Sequence, residues 1–228
     1  VSRFTRRHHR NPYRSILNGF PKSTKVCLKY VQTIALNPSA GAVVGHRFRV
    51  NSLYDPDLSG TGHQPRGHDQ LSVIYSKYLV TAVSIKATPV VTSSYDAGGG
   101  AAVERAGGYY GILLDDDETI NESSVEDILE GKQGGGVRRL AGSTAVQPRT
   151  PSAAKRSLSL RRWFKVRNLF AEDGASAAID ANPTEGPNWR VWYGNPSTMT
   201  GTDPDNINFL IEMKFWARYY EPKYMAAS

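Results

Sequence analysis

The stretch "INFLIEMKFWARYY", residues 207–220, decides the fold class. Ile207, Phe209, Ile211, Met213, Phe215, Ala217 and Tyr219 fall on one side of a two-residue repeat, and Asn208, Glu212, Lys214 and Arg218 fall on the other. A helix would scatter these residues around its axis, whereas a strand sends alternate side chains to opposite faces. Alternation sustained this long predicts a long strand lying on a large apolar layer.

The same period recurs upstream. In "TKVCLKYVQTIAL", residues 24–36, Val26, Leu28, Tyr30, Ile34 and Leu36 oppose Lys25, Lys29 and Thr33. In "VVGHRFRV", residues 43–50, Val44, Phe48 and Val50 oppose Arg47 and Arg49. "YLVTAVSIKATPVV" (78–91) is β-branched and ends near Pro89, "GGYYGILL" (107–114) precedes an acidic run, and "NWRVWYG" (188–194) is short and aromatic. Weaker strand patterns occur in "GGGVRRLAGSTAV" (134–146) and "SLSLRRWFKV" (157–166), around a polar loop at 147–156. Helical signal is confined to short pieces. "SSVEDILEG" (123–131) carries a capping box, Ser123 or Ser124 with Glu126 or Asp127 three residues on, and a closing Gly131. Roughly eight strands separated by long polar loops predict an all-β chain folded as a single eight-stranded jelly-roll sandwich. No internal repeat and no second domain are visible.

Composition bounds the function. The 228 residues are 39% hydrophobic and 21% charged, with twelve tyrosines, seven phenylalanines and four tryptophans, which is a folded rather than a disordered composition. Cys27 is the single cysteine, so neither an internal disulfide nor a cysteine zinc site can form; its place in an apolar strand pattern predicts a buried, inert thiol. No apolar run approaches the roughly 18 residues of a membrane span, so no membrane partner is expected.

Charge is distributed unevenly. Residues 1–54 hold ten cations (Arg3, Arg6, Arg7, Arg10, Arg14, Lys22, Lys25, Lys29, Arg47 and Arg49) and no carboxylate before Asp55. The rest of the chain has eighteen cations against twenty-one carboxylates. Residues 1–22 lack a sustained period and are interrupted by Pro12 and Pro21, and they read as an extended basic arm ahead of a domain spanning 23–228. Arginines interleaved with Phe4, His8, His9 and Tyr13 suit phosphate neutralisation and base stacking on single strands. The candidate nucleic-acid-binding residues are therefore Arg3, Arg6, Arg7, Arg10, Arg14, Lys22 and Lys25, with Arg47 and Arg49 extending the basic surface from the second strand. The same cluster also fits a nuclear import signal, a reading from composition alone.

One segment imitates chemistry. "GTGHQPRGHDQ", residues 60–70, brings His63, His68 and Asp69 close in sequence, with Asp55 and Asp57 just before. The two histidines are five apart on a segment broken by Gly62, Pro65 and Gly67, which does not put them on one helix face, and no further His or Cys pair completes a tetrahedral site. The structural alternative uses more residues: a shaped loop ending in a short helix, N-capped by Asp69, with Leu71, Ile74 and Tyr75 on its buried side. The carboxylates Asp115, Asp116, Asp117 and Glu118 lack EF-hand spacing and read as a solvated loop, with a cation shared between subunits as the alternative. The glycine-rich 97–108 stretch has no GxxxxGK[ST] and reads as a surface loop. No Ser/His/Asp or Cys/His set assembles, so no enzyme, metal or cofactor is expected.

The run 51–85, with "DPD" at 55–57, "GTGHQP" at 60–65, Gly67, Asp69, Gln70 and Tyr75, resembles the capsid proteins of small circular single-stranded DNA viruses that encode a replication initiator, the circovirus-like group. There such a run links the third and fourth strands of a jelly roll. His68 departs from that pattern, standing where an aromatic is common. The resemblance implies a virion protein whose copies, about sixty in a T=1 icosahedral shell, enclose a circular single-stranded DNA with their basic arms inside. It implies assembly in the host nucleus and a host receptor that the sequence does not identify. Three alternatives remain at this level: a capsid protein of a small or satellite RNA virus, a cellular single-strand-binding β module, and a cupin-like metalloenzyme using the histidines of 60–70.

Overall fold

The computed structural model describes residues 16–17, 20–39, 42–90, 108–115, 124–131, 137–140, 152–196 and 206–223. In chain order the strands are β1 (Ile16–Leu17), β2 (Phe20–Pro21), β3 (Ser23–Leu36), β4 (Val43–Arg49), β5 (Tyr75–Val90), β6 (Gly108–Asp115), β7 (Arg138–Leu140), β8 (Ala154–Ser159), β9 (Ser176–Ala178), β10 (Asn188–Gly194) and β11 (Ile207–Pro222). The helices α1 (His68–Ser72), α2 (Val125–Glu130) and α3 (Leu160–Trp163) are one or two turns each. Among the described residues no helix is long and apolar enough to cross a membrane.

Two antiparallel sheets form the body. One has the order β4-β10-β6-β7, and the other has the order β3-β11-β5-β8 with β9 also on β5. β8 pairs with residues 82–87 of β5 and β9 with residues 77–79, so two short strands share a single edge position. The result is eight strand positions in two sheets of four, with the first long strand beside the last, which is jelly-roll connectivity. The predicted all-β jelly-roll class is the observed one.

The alternation in β11 does what its pattern requires. Phe209, Ile211, Met213, Phe215 and Tyr219 are fully buried, as are Tyr30, Val83 and Ile85 from its neighbours in the sheet. They meet Phe48, Tyr110, Ile112, Trp189, Val191 and Tyr193 of the facing sheet. Phe209 lies 5.5 Å from Tyr110 and 6.3 Å from Tyr193, ring centre to ring centre, and locks the two layers together. Each such side chain contributes about 1.5–3 kcal/mol through burial.

The outer faces of the two sheets differ. On the first, Trp192 turns away from the core and is covered by Val125 and Ile128 of α2 together with Leu113 of β6. Ser124 caps α2 as the box predicted, its Oγ accepting from the Asp127 N–H at 3.1 Å. The second sheet has no such helical lid among the described residues.

Four expectations are corrected. Cys27 is exposed, because its position in β3 shares the parity of Lys25 and Lys29, not that of Leu28 and Tyr30. Asp69 does not cap α1; Gly67 does, in a left-handed conformation with φ 98°, and Asp69 sits inside the first turn. Tyr75 opens β5 instead of closing the helix. The segment 157–166 is not one strand: pairing with β5 begins at Ala154, within the expected loop, and Leu160–Trp163 turns helical. Near the N-terminus, Ile16 pairs with Pro21 and Leu17 with Phe20, so the arm's last residues form a short ribbon. The Tyr75 hydroxyl donates to the Pro21 carbonyl at 3.1 Å and ties that ribbon to β5. The acidic run at 116–118 and the glycine-rich 97–107 lie outside the described residues.

Candidate nucleic-acid interface

The histidine-rich loop competes for the role of functional site. Residues 56–58 fold back along the free edge of β4: the Arg49 N–H donates to Pro56 O at 2.8 Å and the Leu58 N–H to Arg47 O at 3.1 Å. This brings Asp57 into full burial. Its carboxylate accepts from Gln32 Nε2 at 2.6 Å, from the Ser59 N–H at 2.9 Å and Ser59 Oγ at 2.8 Å, and from His46 Nε2 at 2.8 Å. Burial pushes the carboxyl upward, but the Ser59 and Gln32 hydrogen bonds and the His46 charge outweigh it and hold the group below its ordinary value. Asp57 therefore joins β3, β4 and the loop through one buried anion. Tyr30 donates to Gln32 Oε1, and His63 stacks on the Tyr30 ring at 4.6 Å. A Cβ on Gly62 would stand 2.6 Å from Asp57 Cβ and 2.7 Å from Tyr30 Oη, so glycine there is a packing requirement.

His68 is elsewhere, at the base of α1. Its Nε2 lies 3.0 Å from Ile179 O and its Nδ1 2.7 Å from Tyr219 Oη. A carbonyl can only accept, so Nε2 carries the proton and Nδ1 accepts from the tyrosine. Burial lowers the affinity of His68 for a second proton, against a smaller opposing effect of the Ile179 hydrogen bond. The three histidines of 46–68 thus serve three separate packing tasks. Among the described residues no three His, Cys, Asp or Glu side chains gather in a way that would hold a metal ion.

The predicted nucleic-acid-binding cations divide into three groups. Arg3, Arg6, Arg7, Arg10 and Arg14 lie outside the described residues. Lys22 is exposed between β2 and β3, and Lys25 is exposed on the outer face of the β3-β11-β5-β8 sheet. Arg47 and Arg49 belong to the outer face of the opposite sheet. There Arg49 Nη1 is 2.7 Å from Asp55 Oδ2 and 3.0 Å from Asp55 O, so its charge is met within the chain. Arg47 stands opposite the buried Arg190 in the β4–β10 register. The fold does not bring Arg47 and Arg49 together with Lys25.

Lys25 has other companions. The β3–β11 register pairs Arg218 with Lys25 and Lys214 with Lys29. The sequence had placed all four on polar strand faces; only the pairing of the first long strand with the last makes them one surface. On the same face, two residues along β11 from Lys214, Glu212 is clamped by Lys29 and Lys86, each at 2.8 Å, and these two hydrogen bonds hold its carboxyl at about 2.

The chain is similar to the solved structure of the Macrobrachium rosenbergii nodavirus, with a TM-score of 0.51 at 11% identity, covering 100% of this chain and 61% of that one. Lower similarity links it to the BFDV capsid protein solved as a 60-mer (TM-score 0.43, 11% identity, 92% of this chain and 100% of that chain). Tobacco necrosis virus is similar at TM-score 0.45 and 14% identity, over 89% of this chain and 97% of that one. No protein-family model matches the sequence, and no curated protein matches it. Likeness at these identities is likeness of fold.

Proposed function

We propose that this chain is a viral capsid protein, a structural and non-enzymatic subunit whose copies associate into a closed icosahedral shell around single-stranded nucleic acid. The observation that carries the reading is a jelly roll preceded by an arm, residues 1–22, that holds six cations and no carboxylate. A domain near charge balance can pack against copies of itself, while the polycation neutralises phosphates that would otherwise repel one another. The domain runs over 23–228 and the arm over 1–22, with Arg3, Arg6, Arg7, Arg10, Arg14, Lys22 and Lys25 on the nucleic acid. The resemblance carried by 51–85 adds the finer terms: about sixty copies in a T=1 shell, a circular single-stranded DNA cargo, virion localisation and assembly in the host nucleus.

The test is negative-stain microscopy of the expressed full-length chain and of a variant with the five leading arginines replaced by glutamine. Uniform closed particles are expected from both, with co-purifying nucleic acid lost from the variant. If about six charges engage single strands, log affinity falls against log salt with a slope of about −4. Persistent monomers from both chains would overturn the proposal. A small soluble oligomer that binds single strands would favour the cellular binding module instead.

A further inference from the structure

We infer that the outer face of the β3-β11-β5-β8 sheet, centred on Trp216, is a stacking site for an unpaired base of single-stranded nucleic acid, with Lys25, Lys214 and Arg218 on its phosphates. The inference rests on the nucleic-acid reading above and gives the folded domain its own share in binding.

Trp216 is the outlier among the tryptophans. Trp189 and Trp192 are buried and Trp163 is half-buried, but Trp216 is 41% exposed near the middle of β11. Its cross-strand neighbours are Cys27 on β3 and Ala82 on β5, both small, so nothing bulky beside it screens the indole. At Trp216 the register with β5 slips, leaving Thr81 as an extra residue whose hydroxyl donates to the Trp216 carbonyl at 2.9 Å. That bulge fixes the backbone beneath the ring.

An exposed aromatic alone means little. Here it is enclosed by cations. Lys214 and Arg218 lie two residues to either side on β11, about 6.8 Å away along a strand, and Lys29 and Lys25 occupy the diagonal positions on β3. Lys25 and Lys214 meet no carboxylate among the described residues, and Glu212, the acidic group of this face, is already held by Lys29 and Lys86. Arg218 is pre-positioned: its Nε donates to Ser23 Oγ at 3.0 Å, and its guanidinium sits 5.2 Å from the centre of the exposed Phe170 ring. Phe170 in turn meets Tyr220 edge-on at 5.2 Å, which continues the aromatic stripe beyond Trp216.

A flat aromatic surface bordered by positive charge is the arrangement that holds single strands without reading sequence. A second copy of the same face is the competing occupant, and charge disfavours it, because a self-complementary contact would set these cations against their own duplicates.

The experiment uses the full chain and a fluorescein-labelled oligo-dT or oligo-rU of about 16 nucleotides. Trp216→Leu keeps apolar bulk and loses the π face, and Trp216→Phe keeps both. Trp216→Leu is expected to weaken both oligonucleotides roughly 5- to 100-fold, and Trp216→Phe to recover most of the loss. Saturating oligo-dT is expected to slow alkylation of Cys27 by N-ethylmaleimide. Unchanged binding by Trp216→Leu, or unchanged Cys27 reactivity while the chain still binds, would remove the site and leave the arm as the sole binding element. Cys27 protection that rises with protein concentration alone would make the face a subunit contact and overturn the inference. No binding by the wild-type chain would overturn both this site and the function it rests on.

Discussion

His68→Phe is the substitution with the most to tell. The phenyl ring is slightly larger than the imidazole it replaces, so no cavity is left behind. What is lost is a pair of hydrogen bonds inside the domain: Tyr219 Oη loses its acceptor and Ile179 O its donor, both in buried residues. Leaving two such groups unsatisfied costs about 1–3 kcal/mol each. At about 2–4 °C per kcal/mol for a domain of this size, the melting temperature of the unassembled subunit should fall by roughly 4–24 °C. A pH signature accompanies the loss. In the fold His68 is neutral, with its affinity for a second proton lowered by burial, while in the unfolded chain it titrates near 6.5. Stability is thus fully present above about 6.5 and declines as the pH falls toward the lower folded value, with a limiting slope of about 1.4 kcal/mol per pH unit. The groups facing it are Asp69 and the tyrosines Tyr78 and Tyr219, whose hydroxyls burial pushes upward, out of this window. Thermal unfolding followed by circular dichroism between about pH 7.5 and pH 5 should show the wild-type chain losing more stability than His68→Phe. Parallel pH profiles, with melting temperatures within about 1 °C of each other, would refute the reasoning.

Gly62→Ala should unfold at markedly lower denaturant, since its new methyl has to displace Asp57 or Tyr30 in a closed pocket; a midpoint unchanged in urea would contradict that packing. Glu212→Gln should cost no more than about 1 kcal/mol in equilibrium unfolding, as a surface pair does, yet tighten oligo-dT binding by freeing Lys29 and Lys86. In the wild-type chain that small stabilisation is present above about 4.5 and lost as the pH falls toward about 2. Lys25→Gln and Lys214→Gln should each reduce the salt slope by about 0.7, and Arg49→Gln should leave it unaltered because Asp55 already neutralises that guanidinium. Cys27 should react with a thiol reagent in the native, unassembled subunit without denaturant.

Periodicity made most of the sandwich readable. β3 and β11 carry their burial in strict or near-strict alternation, and the capping box marked the start of α2 to within one residue. Where strands were short or both faces were used, pattern alone failed. β9 has three residues, too few for any period to show, and β8 begins in a polar stretch because its pairing is dictated by the edge of β5. Cys27 has apolar neighbours in sequence, but its parity puts it on the exposed side of β3 with Lys25 and Lys29. The basic face was half legible: alternation placed each cation on a polar side, but the pairing of residues 25–29 with 214–218 is a long-range fact that local sequence does not encode. The Asp57 network was invisible for the same reason, since Gln32 and His46 reach it from two different strands.

The backfolded segment 56–58 has a further effect on how copies of this protein can meet. By pairing with the outer side of β4, through the bridge between Phe48 and Asp57, it consumes the hydrogen-bonding groups that an open sheet margin would offer to a stranger. At the other end of that sheet, β7 is only three residues long. A sheet closed off in this way resists runaway ribbon growth, so neighbours must recognise one another through side-chain surfaces whose geometry can be finite and repeatable.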